Sequence, residues 1–387
     1  MERDGGVTRL YGRGEMGAVP WPADAEGEYA RRVLPALVDD GVRPYIANVH
    51  AEVCVLVADG TILPVVLNDV APPEPSSYVV SPTSHYVRYG KREIELELAN
   101  PLARAVFPPL LDLARPLLAW GDIERVVYVN NWLLSTNLYP PLARATLAAV
   151  RDALVAAFPD RAIVFRSVNE RLGGELRAEL RALGFGEVFS RQLYLWDPAT
   201  AGKPSRGLRQ DINLAARSDD RWVDASEIAD AEIPRLADLY ADLYLRKYSP
   251  LNPHFTERFV ARALRDGWLR VRALRSPGGR IDATIGWVER GGVMTAPFIG
   301  YDRAEPVERG LYRRISLELM QEARRAGLLL NQSSGAAAFK RYRGATPAME
   351  FSLVFDAHLP LRRRLPWALL ASLSRRALVP MARRMKF

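Results

Sequence analysis

Cations and aromatic rings alternate in a short segment near residue 340 of this chain. Arg341 and Arg343 flank Tyr342, directly after Phe339 and Lys340. Guanidinium groups bind phosphate and aromatic rings stack on bases, so this pattern is typical of proteins that bind single-stranded nucleic-acid ends. The alternative interpretation is a solvated, charged helix face without a ligand.

A carboxylate stands directly after a predicted strand in the second half of the chain. Asp302 follows the strand-forming run 298–301, where a carboxylate is a candidate proton acceptor for an attacking amine. The alternative is a turn, since aspartate commonly begins loops. We expect Tyr301, the last residue of that strand, to contact the same acceptor amine.

A further group of polar side chains lies in the loop 244–255, which joins two stretches with helical periodicity. Tyr248 and Asn252 offer hydrogen bonds there, and such a loop suits the binding of an amine acceptor. His254 is a second candidate base because imidazole titrates near neutral pH, although a histidine beside a proline is commonly structural. His85, in a loop of the first half, is assigned to the acceptor as well.

Composition excludes a disordered, fibrous or disulfide-stapled protein. With 49% hydrophobic and 25% charged residues among 387, the chain is globular, and its length predicts two domains. The single cysteine, Cys54, lies in an apolar run and is expected to be a core thiol. Four histidines without HxxxH or HExxH spacing predict no metal site, and no tightly bound cofactor is expected. We expect a cytoplasmic protein, because the sequence shows neither a signal peptide nor an apolar run of membrane-spanning length.

The predicted elements occur twice in the same order. A strand, a long helix, a second strand, a short helix closed by a glycine and a further strand follow one another over 126–196 and over 293–355. The two closing glycines are Gly184 and Gly344. This repetition predicts a duplicated α/β (α+β) unit, with the boundary in the Pro/Gly/Ser-rich segment 197–205.

The end of the first half resembles the C-terminal part of the GNAT acyltransferase fold, whose pattern reads Asn-x-x-Ala-x-x-x-Tyr-x-x-x-Gly-Phe. Gly184 and Phe185 match its last two positions. Leu176 and Leu180 stand at the alanine position and at the position of the tyrosine acid. The first half is therefore expected to keep the fold without the chemistry.

In the second half the pattern runs from Ser333 through Ala336 to Gly344 and Ala345, with Lys340 in place of the tyrosine. Two such halves, the second with Phe339-Lys340 before a glycine, resemble the FemAB family of non-ribosomal peptidyl transferases. The resemblance implies two tandem GNAT-like domains, each a mixed, mostly antiparallel sheet flanked by helices.

The implied domains have distinct roles. Residues 1–198 form a degenerate N-terminal domain that selects the acceptor together with the cleft between the domains. Residues 206–358 form a C-terminal domain that carries out acyl transfer. Residues 359–387 form a basic amphipathic tail.

The segment at the start of the central helix provides the evidence on the identity of the acyl donor. Enzymes of this fold that use acyl-CoA place small residues there, so that backbone N–H groups approach the pyrophosphate. In 307–313 only Gly310 remains, while Val307 replaces a basic residue and Tyr312 a small one. We expect no CoA binding in the usual mode, and the resemblance implies aminoacyl-tRNA instead.

Lys340 is the residue to which the resemblance gives a direct role, either at the terminal phosphate of the donor or at the oxyanion of the reaction. Residues just after the predicted strand 328–330 would lie where acyl groups bind in this fold, although their capping of the next helix is an alternative. The residues expected to bind the donor are Phe339, Arg341, Tyr342, Arg343, Asn331, Ser333 and Ser334.

The net charge of +8 resides in the tail. From Leu359 to Phe387 there are eight basic residues and no acidic one, around apolar residues such as Trp367 and Leu370. Two interpretations stay open: a helix docked on the body with a solvated arginine face, or a surface for a polyanion, which is nucleic acid or an anionic membrane.

The sequence thus predicts an enzyme that forms an amide between an activated acyl donor, aminoacyl-tRNA, and a small-molecule or peptide amine. The alternatives are an acyl-CoA-dependent N-acyltransferase and a non-catalytic module that binds RNA or membrane. The catalytic candidates are Lys340, Asp302 and His254, and the acceptor candidates are Tyr248, Asn252, Tyr301 and His85.

Overall fold

The structure is a computed structural model that describes residues 8–68, 75–92, 109, 111–112 and 115–385. It divides into two compact units. Unit 1 contains residues 1–43, 48–191 and 349–387, and unit 2 contains 44–47 and 192–348.

The regular elements are numbered in chain order. The strands are β1 (Arg9–Tyr11), β2 (Ala51–Ala58), β3 (Thr61–Asn68), β4 (Val126–Val129), β5 (Ala162–Asn169), β6 (Gly186–Trp196), β7 (Arg221–Asp224), β8 (Arg270–Arg275), β9 (Ile281–Arg290), β10 (Val293–Tyr301), β11 (Leu329–Asn331) and β12 (Thr346–Phe355). The helices are α1 (Ala25–Asp39), α2 (Arg144–Ala157), α3 (Gly174–Ala182), α4 (Arg206–Ala216), α5 (Ile233–Ala241), α6 (Glu257–Asp266), α7 (Leu311–Ala326), α8 (Ala337–Tyr342), α9 (Leu361–Leu373) and α10 (Val379–Met385). Short π-helical turns occupy Ser84–Tyr89, Asp242–Tyr248 and Ser374–Leu378, and short 3-10 turns occupy Met16–Ala18, Ala225–Glu227, Asp230–Glu232 and Val307–Arg309.

Unit 1 is built on a sheet in which β1 to β5 are neighbours in chain order, followed by the 349–355 part of β12 and the 186–191 part of β6. Only β4 and β5 run parallel among the pairs described for this unit. Every residue of β5 is buried, because helices and loops cover both faces of the strand. Apolar side chains of α2 recur at three- and four-residue spacing and pack on this sheet, namely Leu147, Val150 and Leu154.

Unit 2 repeats this plan. Its strands β7 to β11 are neighbours in reverse chain order, and the 192–196 part of β6 pairs antiparallel with β11. The parallel pair is β10 with β11. The hairpin of β9 and β10 turns at Gly291 and Gly292, which both have positive φ, as two-residue hairpin loops require. Ile315, Leu319 and Ala323 of α7 pack in the core of this unit.

Each unit therefore has a mixed, mostly antiparallel sheet flanked by helices, which confirms the predicted fold class. The predicted repetition is also present. In each unit a helix crosses over between the two parallel strands, and a short helix then ends before a glycine. Gly184 and Gly344 have φ angles of 90° and 92°, a conformation that L side chains rarely adopt.

The unit boundaries differ from the predicted ones. The predicted linker 197–205 lies inside unit 2, where it joins β6 to α4. The main segment of unit 2 begins within β6, between 191 and 192, and ends within β12, between 348 and 349. Composition could not predict these boundaries, because they lie within strands, which lack the Pro/Gly/Ser-rich composition of a linker.

The tail belongs to unit 1 and is helical, with α9 and α10 on either side of a π-helical turn. Trp367 and Leu370 of α9 are buried, and Trp367 meets the Tyr86 ring edge-on with centroids 6.2 Å apart. Ala382 of α10 joins the unit 1 core. The structure thus supports docking of one tail face on the body. None of the helices in the described residues combines the length and apolarity needed to cross a membrane.

A tight contact between Gly121 and Pro366 of α9 provides a test of this docking. A Cβ at position 121 would lie 2.2 Å from Pro366 Cγ. We therefore expect Gly121→Ala to lower the free energy of unfolding by about 1–3 kcal/mol, as overpacking usually does. In the control Gly174→Ala the new methyl group meets nothing within 4 Å. Urea denaturation of both variants measures the difference, and equal stabilities would contradict the docking of α9.

Candidate active site

Three aromatic side chains of unit 2 follow one another at the end of the parallel strand pair. Tyr301 ends β10, Tyr312 lies in the first turn of α7, and Phe339 lies on α8. Their ring centroids are 6.2 Å apart for Tyr301 and Tyr312, and 4.8 Å for Tyr312 and Phe339. All three side chains are half-buried, so part of each ring surface is open to a ligand.

A cation and a fourth ring extend this arrangement. Lys247 Nζ lies 3.5 Å from the hydroxyl of Tyr301 and 5.3 Å from the ring centroid of Tyr248. We call Tyr248, Tyr301, Tyr312 and Phe339, with Lys247, the aromatic row. Aromatic rings next to cations can bind a base and a phosphate at the same time.

The aromatic row lies beyond the point at which the sheet of unit 2 opens. The last pair of residues matched between the parallel strands is Thr295 with Asn331, where β11 ends. Strand β10 continues alone on that side for a further six residues, to Tyr301. A polar loop, 332–335, follows β11 at the same point.

Lys340 holds this loop in place. Its ammonium donates to the carbonyl oxygens of Gln332 at 2.6 Å, Ser333 at 3.2 Å and Ser334 at 2.7 Å. An ammonium has three donors, so these carbonyls use all of them. The side chain is buried, and Ser333 is held at φ 58°, in the left-handed region. In this state Lys340 is a positioning residue, and its predicted contact with the donor stays a prediction.

The end of β11 offers unpaired polar atoms. Asn331 Oδ1 accepts from the Ser333 backbone N–H at 2.9 Å, but Asn331 Nδ2 is buried without a hydrogen-bond partner among the described residues. Gln332 Oε1 is also buried without a hydrogen-bond partner among the described residues. A buried polar group without a partner costs about 1–3 kcal/mol, so these atoms are candidates for hydrogen bonds to a ligand.

A buried carboxylate fixes the helices around the aromatic row. Asp211 of α4 is fully buried and accepts from Arg313 at 2.6 Å. It also accepts two hydrogen bonds from Arg343, at 2.5 and 3.0 Å. The Arg343 guanidinium lies 3.4 Å from the ring centroid of Phe339, which connects this ion pair to the row.

The ion pair with Asp211 determines where Arg343, one of the predicted donor-binding residues, lies. Arg343 is buried on Asp211 because a guanidinium fork matches a carboxylate, so it is not presented to a ligand in this state. Tyr342 is 48% exposed and its ring packs against Gly207. Arg341 is half-buried. The three side chains of the predicted patch therefore do not form one continuous surface.

The expected position of a pyrophosphate, at the start of α7, is occupied by other groups. A Cβ on Gly310 would meet a methyl group of Leu214 at 2.5 Å, so α4 covers this glycine. Arg309 is bound by three carboxylates, those of Asp220 at 2.9 Å, Asp282 at 2.7 Å and Glu305 at 2.6 Å. The positive charge that could attract a phosphate is already neutralised here.

Asp302, the predicted proton acceptor, belongs to the same acidic region. Partial burial would raise its pKa, but hydrogen bonds from Arg235 and from the Ala304 N–H, with the charge of Arg280, lower it below the ordinary value. A lowered pKa makes the carboxylate a weaker base. Asp282, Asp302 and Glu305 lie close enough to share a metal ion, but Arg235, Arg280 and Arg309 supply the positive charge among the described residues.

The predicted acceptor loop has one clearly structural member. The Asn252 amide is buried and donates to the carbonyl oxygens of Tyr244 and Ser249, both at 3.0 Å. His254 is exposed, and its backbone carbonyl accepts from Ala47 at 3.0 Å. Partial desolvation lowers the pKa of His254 below its ordinary value, so its imidazole is neutral and can accept a proton at pH 7.

His85 lies in unit 1, in a buried polar cluster that the sequence did not predict. Its Nε2 is 3.1 Å from Ser190 Oγ. Arg191 donates to Glu350 at 2.8 Å and to the Ser135 carbonyl at 2.6 Å. Burial, followed by the charges of Arg166 and Arg191, lowers the pKa of His85 to about 3.

The structure thus brings together Tyr248, Tyr301 and Phe339 in the aromatic row, and Asn331, Ser333, Ser334 and Lys340 around the loop after β11. Asp302 and Asn252 have local partners, and His85 belongs to the other unit. The predicted site residues do not include Asp211, nor Tyr312 and Lys247 of the aromatic row. The sequence does contain a signal that Asp211 is unusual. It stands three residues after Leu208 and three before Leu214 on an amphipathic helix, at a position where an apolar residue is expected.

The Asp211 cluster can be tested by stability. Asp211→Asn leaves two guanidinium groups without their buried carboxylate, and we expect it to lower the free energy of unfolding by about 3–5 kcal/mol. The matched control is Asp238→Asn, which removes an ion pair with Arg246 in which both side chains are more than half exposed, at an expected cost below about 1 kcal/mol. Similar losses in the two variants, measured by urea denaturation, would contradict the role of Asp211.

His85 predicts a pH dependence of stability. The unfolded imidazole binds a proton below about pH 6.5 while the folded one stays neutral, so stability falls as the pH falls from 6.5 toward 3. This contribution is about 2 kcal/mol between pH 7.5 and pH 5. Denaturation of the wild type and of His85→Gln over this range measures it. Parallel stability curves for the two proteins would contradict the burial of a neutral His85.

Comparison with known proteins gives one family match. Residues 202–341 match the model described as the acetyltransferase (GNAT) domain. No curated protein matches this chain.

Solved structures show only distant likeness. A structure of FemX has 11% identity and a TM-score of 0.48, over 84% of this chain and 91% of its own. L-PGS from Bacillus licheniformis has 15% identity and a TM-score of 0.43, over 60% of this chain and 78% of its own. A tandem GNAT protein from the clavulanic acid biosynthesis pathway has 10% identity and a TM-score of 0.38, over 90% of this chain and 98% of its own. At these TM-scores the likenesses carry no weight for function, and the family match relates residues 202–341, less than half of the chain, to the acetyltransferase (GNAT) domain.

Proposed function

We propose that this chain transfers an aminoacyl group from aminoacyl-tRNA to a small-molecule or peptide amine and forms an amide. The observation that carries the proposal is the aromatic row at the open end of the β10–β11 pair. It offers rings for the terminal bases of a nucleic acid and the Lys247 cation for a phosphate. The GNAT-type domain over 202–341 supports acyl transfer as the reaction class.

The electrostatics at the start of α7 disfavour CoA as the donor. A pyrophosphate bound there would approach Asp282 and Glu305, whose arginine partner Arg309 is already shared with Asp220. It would also have to displace Leu214 from Gly310. A donor that binds along the aromatic row avoids both obstacles.

The proposed reaction breaks one ester bond and forms one amide bond. The neutral amine attacks the carbonyl carbon of the aminoacyl ester, and the C–O bond to the terminal ribose breaks as the C–N bond forms. The amine loses one proton and the ribose oxygen gains one. His254 is the better candidate to accept the proton, because it is neutral at pH 7 while Asp302 is held in an ion pair.

The groups at the end of β11 suit the acyl part of the donor. Asn331 Nδ2 can donate to the ester carbonyl or to the oxyanion that develops from it. Lys340 keeps the loop 332–335 in the shape that this requires. Unit 1, as the sequence predicts, would select the acceptor.

Donor binding tests the proposal. We expect a pool of aminoacyl-tRNA to shift the wild-type protein on a native gel and to raise its melting temperature, more than uncharged tRNA does. Tyr312→Ala and Phe339→Ala should each weaken binding by about 5- to 150-fold, since a stacked base contributes about 1–3 kcal/mol. The control is Trp120→Ala, an aromatic residue that is 51% exposed in unit 1.

Other outcomes would contradict the proposal. Stabilisation by acetyl-CoA alone would favour the acyl-CoA-dependent alternative. Equal binding of charged and uncharged RNA with steep salt dependence, and no amide product, would favour the non-catalytic module.

A further inference from the structure

An exposed stripe of leucines runs along the tail helix α9. Leu361, Leu365, Leu369 and Leu373 recur at four-residue spacing, which places them along one face of a helix. Their exposed fractions are 67%, 43%, 44% and 37%. Of the nine large hydrophobic side chains that are exposed among the described residues, four thus lie on this single helix. We call this set the leucine stripe.

Arginines flank the leucine stripe. Arg375 and Arg376 follow it in the π-helical turn, are exposed, and make no ion pair with any residue that the structure describes. Arg364 of α9 is also exposed and lies near Asp356. The opposite face of α9, with Trp367 and Leu370, is the one that packs on unit 1.

An open groove of about 710 Å³ adjoins the end of the stripe. Its lining includes the apolar side chains of Phe185, Phe351 and Val379. The charged residues that line the groove are four arginines and one glutamate, namely Arg177, Arg181, Arg375, Arg383 and Glu187. Glu187 pairs with Arg177 and Arg181, and Glu170 lies 3.7 Å from Arg383. Arg375 has no ion pair among the described residues, so the groove keeps a net positive charge beside apolar surface, which is complementary to a lipid with an anionic headgroup.

We propose that α9 and the turn after it bind the surface of a membrane that contains anionic lipids. The helix lies in the plane of the interface, the leucine stripe enters the acyl-chain boundary, and the arginines contact the headgroups. This inference does not depend on the identity of the acyl donor.

The leucine stripe distinguishes a bilayer from other occupants. A nucleic-acid backbone would use the arginines but gain nothing from four leucines between them. A second copy of the chain would bring like charges together, since residues 359–387 contain no acidic residue. An anionic bilayer satisfies both the apolar and the charged groups.

Sedimentation of the full-length protein with vesicles tests the proposal. We expect binding to vesicles of phosphatidylcholine mixed with phosphatidylglycerol, and little binding to phosphatidylcholine alone. Replacing the four leucines of the stripe by glutamine, a good helix former, should weaken binding at least tenfold. Arg375→Gln combined with Arg376→Gln should weaken it about tenfold or more.

Matched controls test whether the loss of exposed apolar side chains or arginines elsewhere in the chain has the same effect on vesicle binding. Leu172→Gln with Ile212→Gln removes exposed apolar side chains elsewhere, and Arg206→Gln with Arg217→Gln removes exposed arginines of unit 2. Both controls should bind vesicles as the wild type does, and circular dichroism should show all variants folded. The proposal is overturned if the wild type does not bind the anionic vesicles, or if the leucine variant binds them equally well. It is also overturned if the leucine variant only abolishes a concentration-dependent dimer, as seen by light scattering.

Discussion

The arrangement of unit 2 around its candidate site depends on the buried carboxylate of Asp211. Arg313 at the start of α7 and Arg343 after α8 both donate to it, although the three residues are far apart in the chain. A buried charge without partners is very costly, so the three elements must stay together. This constraint keeps α4 against Gly310 and holds Phe339 next to Tyr312. One ion cluster thus closes the pyrophosphate position and assembles the aromatic row.

A second constraint acts on the loop after β11. The three carbonyl oxygens that surround the Lys340 ammonium fix the path of 332–334, which carries a residue in the left-handed region. The loop that follows Asn331 is therefore held in one shape. Preorganised groups of this kind stabilise a developing charge without reorganisation at the moment of reaction. In the proposed function, the terminal bases of the aminoacyl-tRNA would stack on the aromatic row.

Local patterns predicted much of the fold and only part of the site. The hairpin at Gly291–Gly292, the helices before Gly184 and Gly344 and the repeated element order follow from periodicity and turn residues, which act over a few positions. The unit boundaries within β6 and β12 and the pairing of Arg343 with Asp211 could not be predicted, because they depend on contacts between distant segments. For the same reason the sequence could not predict that Lys340 donates to three carbonyl oxygens of the loop after β11.

The central claim is that the acyl donor binds along the aromatic row of unit 2. Hydrogen–deuterium exchange of the full-length protein, with and without an aminoacyl-tRNA analogue that has a stable amide in place of the ester, tests it most directly. The account predicts that the analogue slows exchange mainly in 299–313 and 331–343, and that acetyl-CoA has no such effect. Protection confined to other segments, or protection of 307–313 by acetyl-CoA alone, would contradict it.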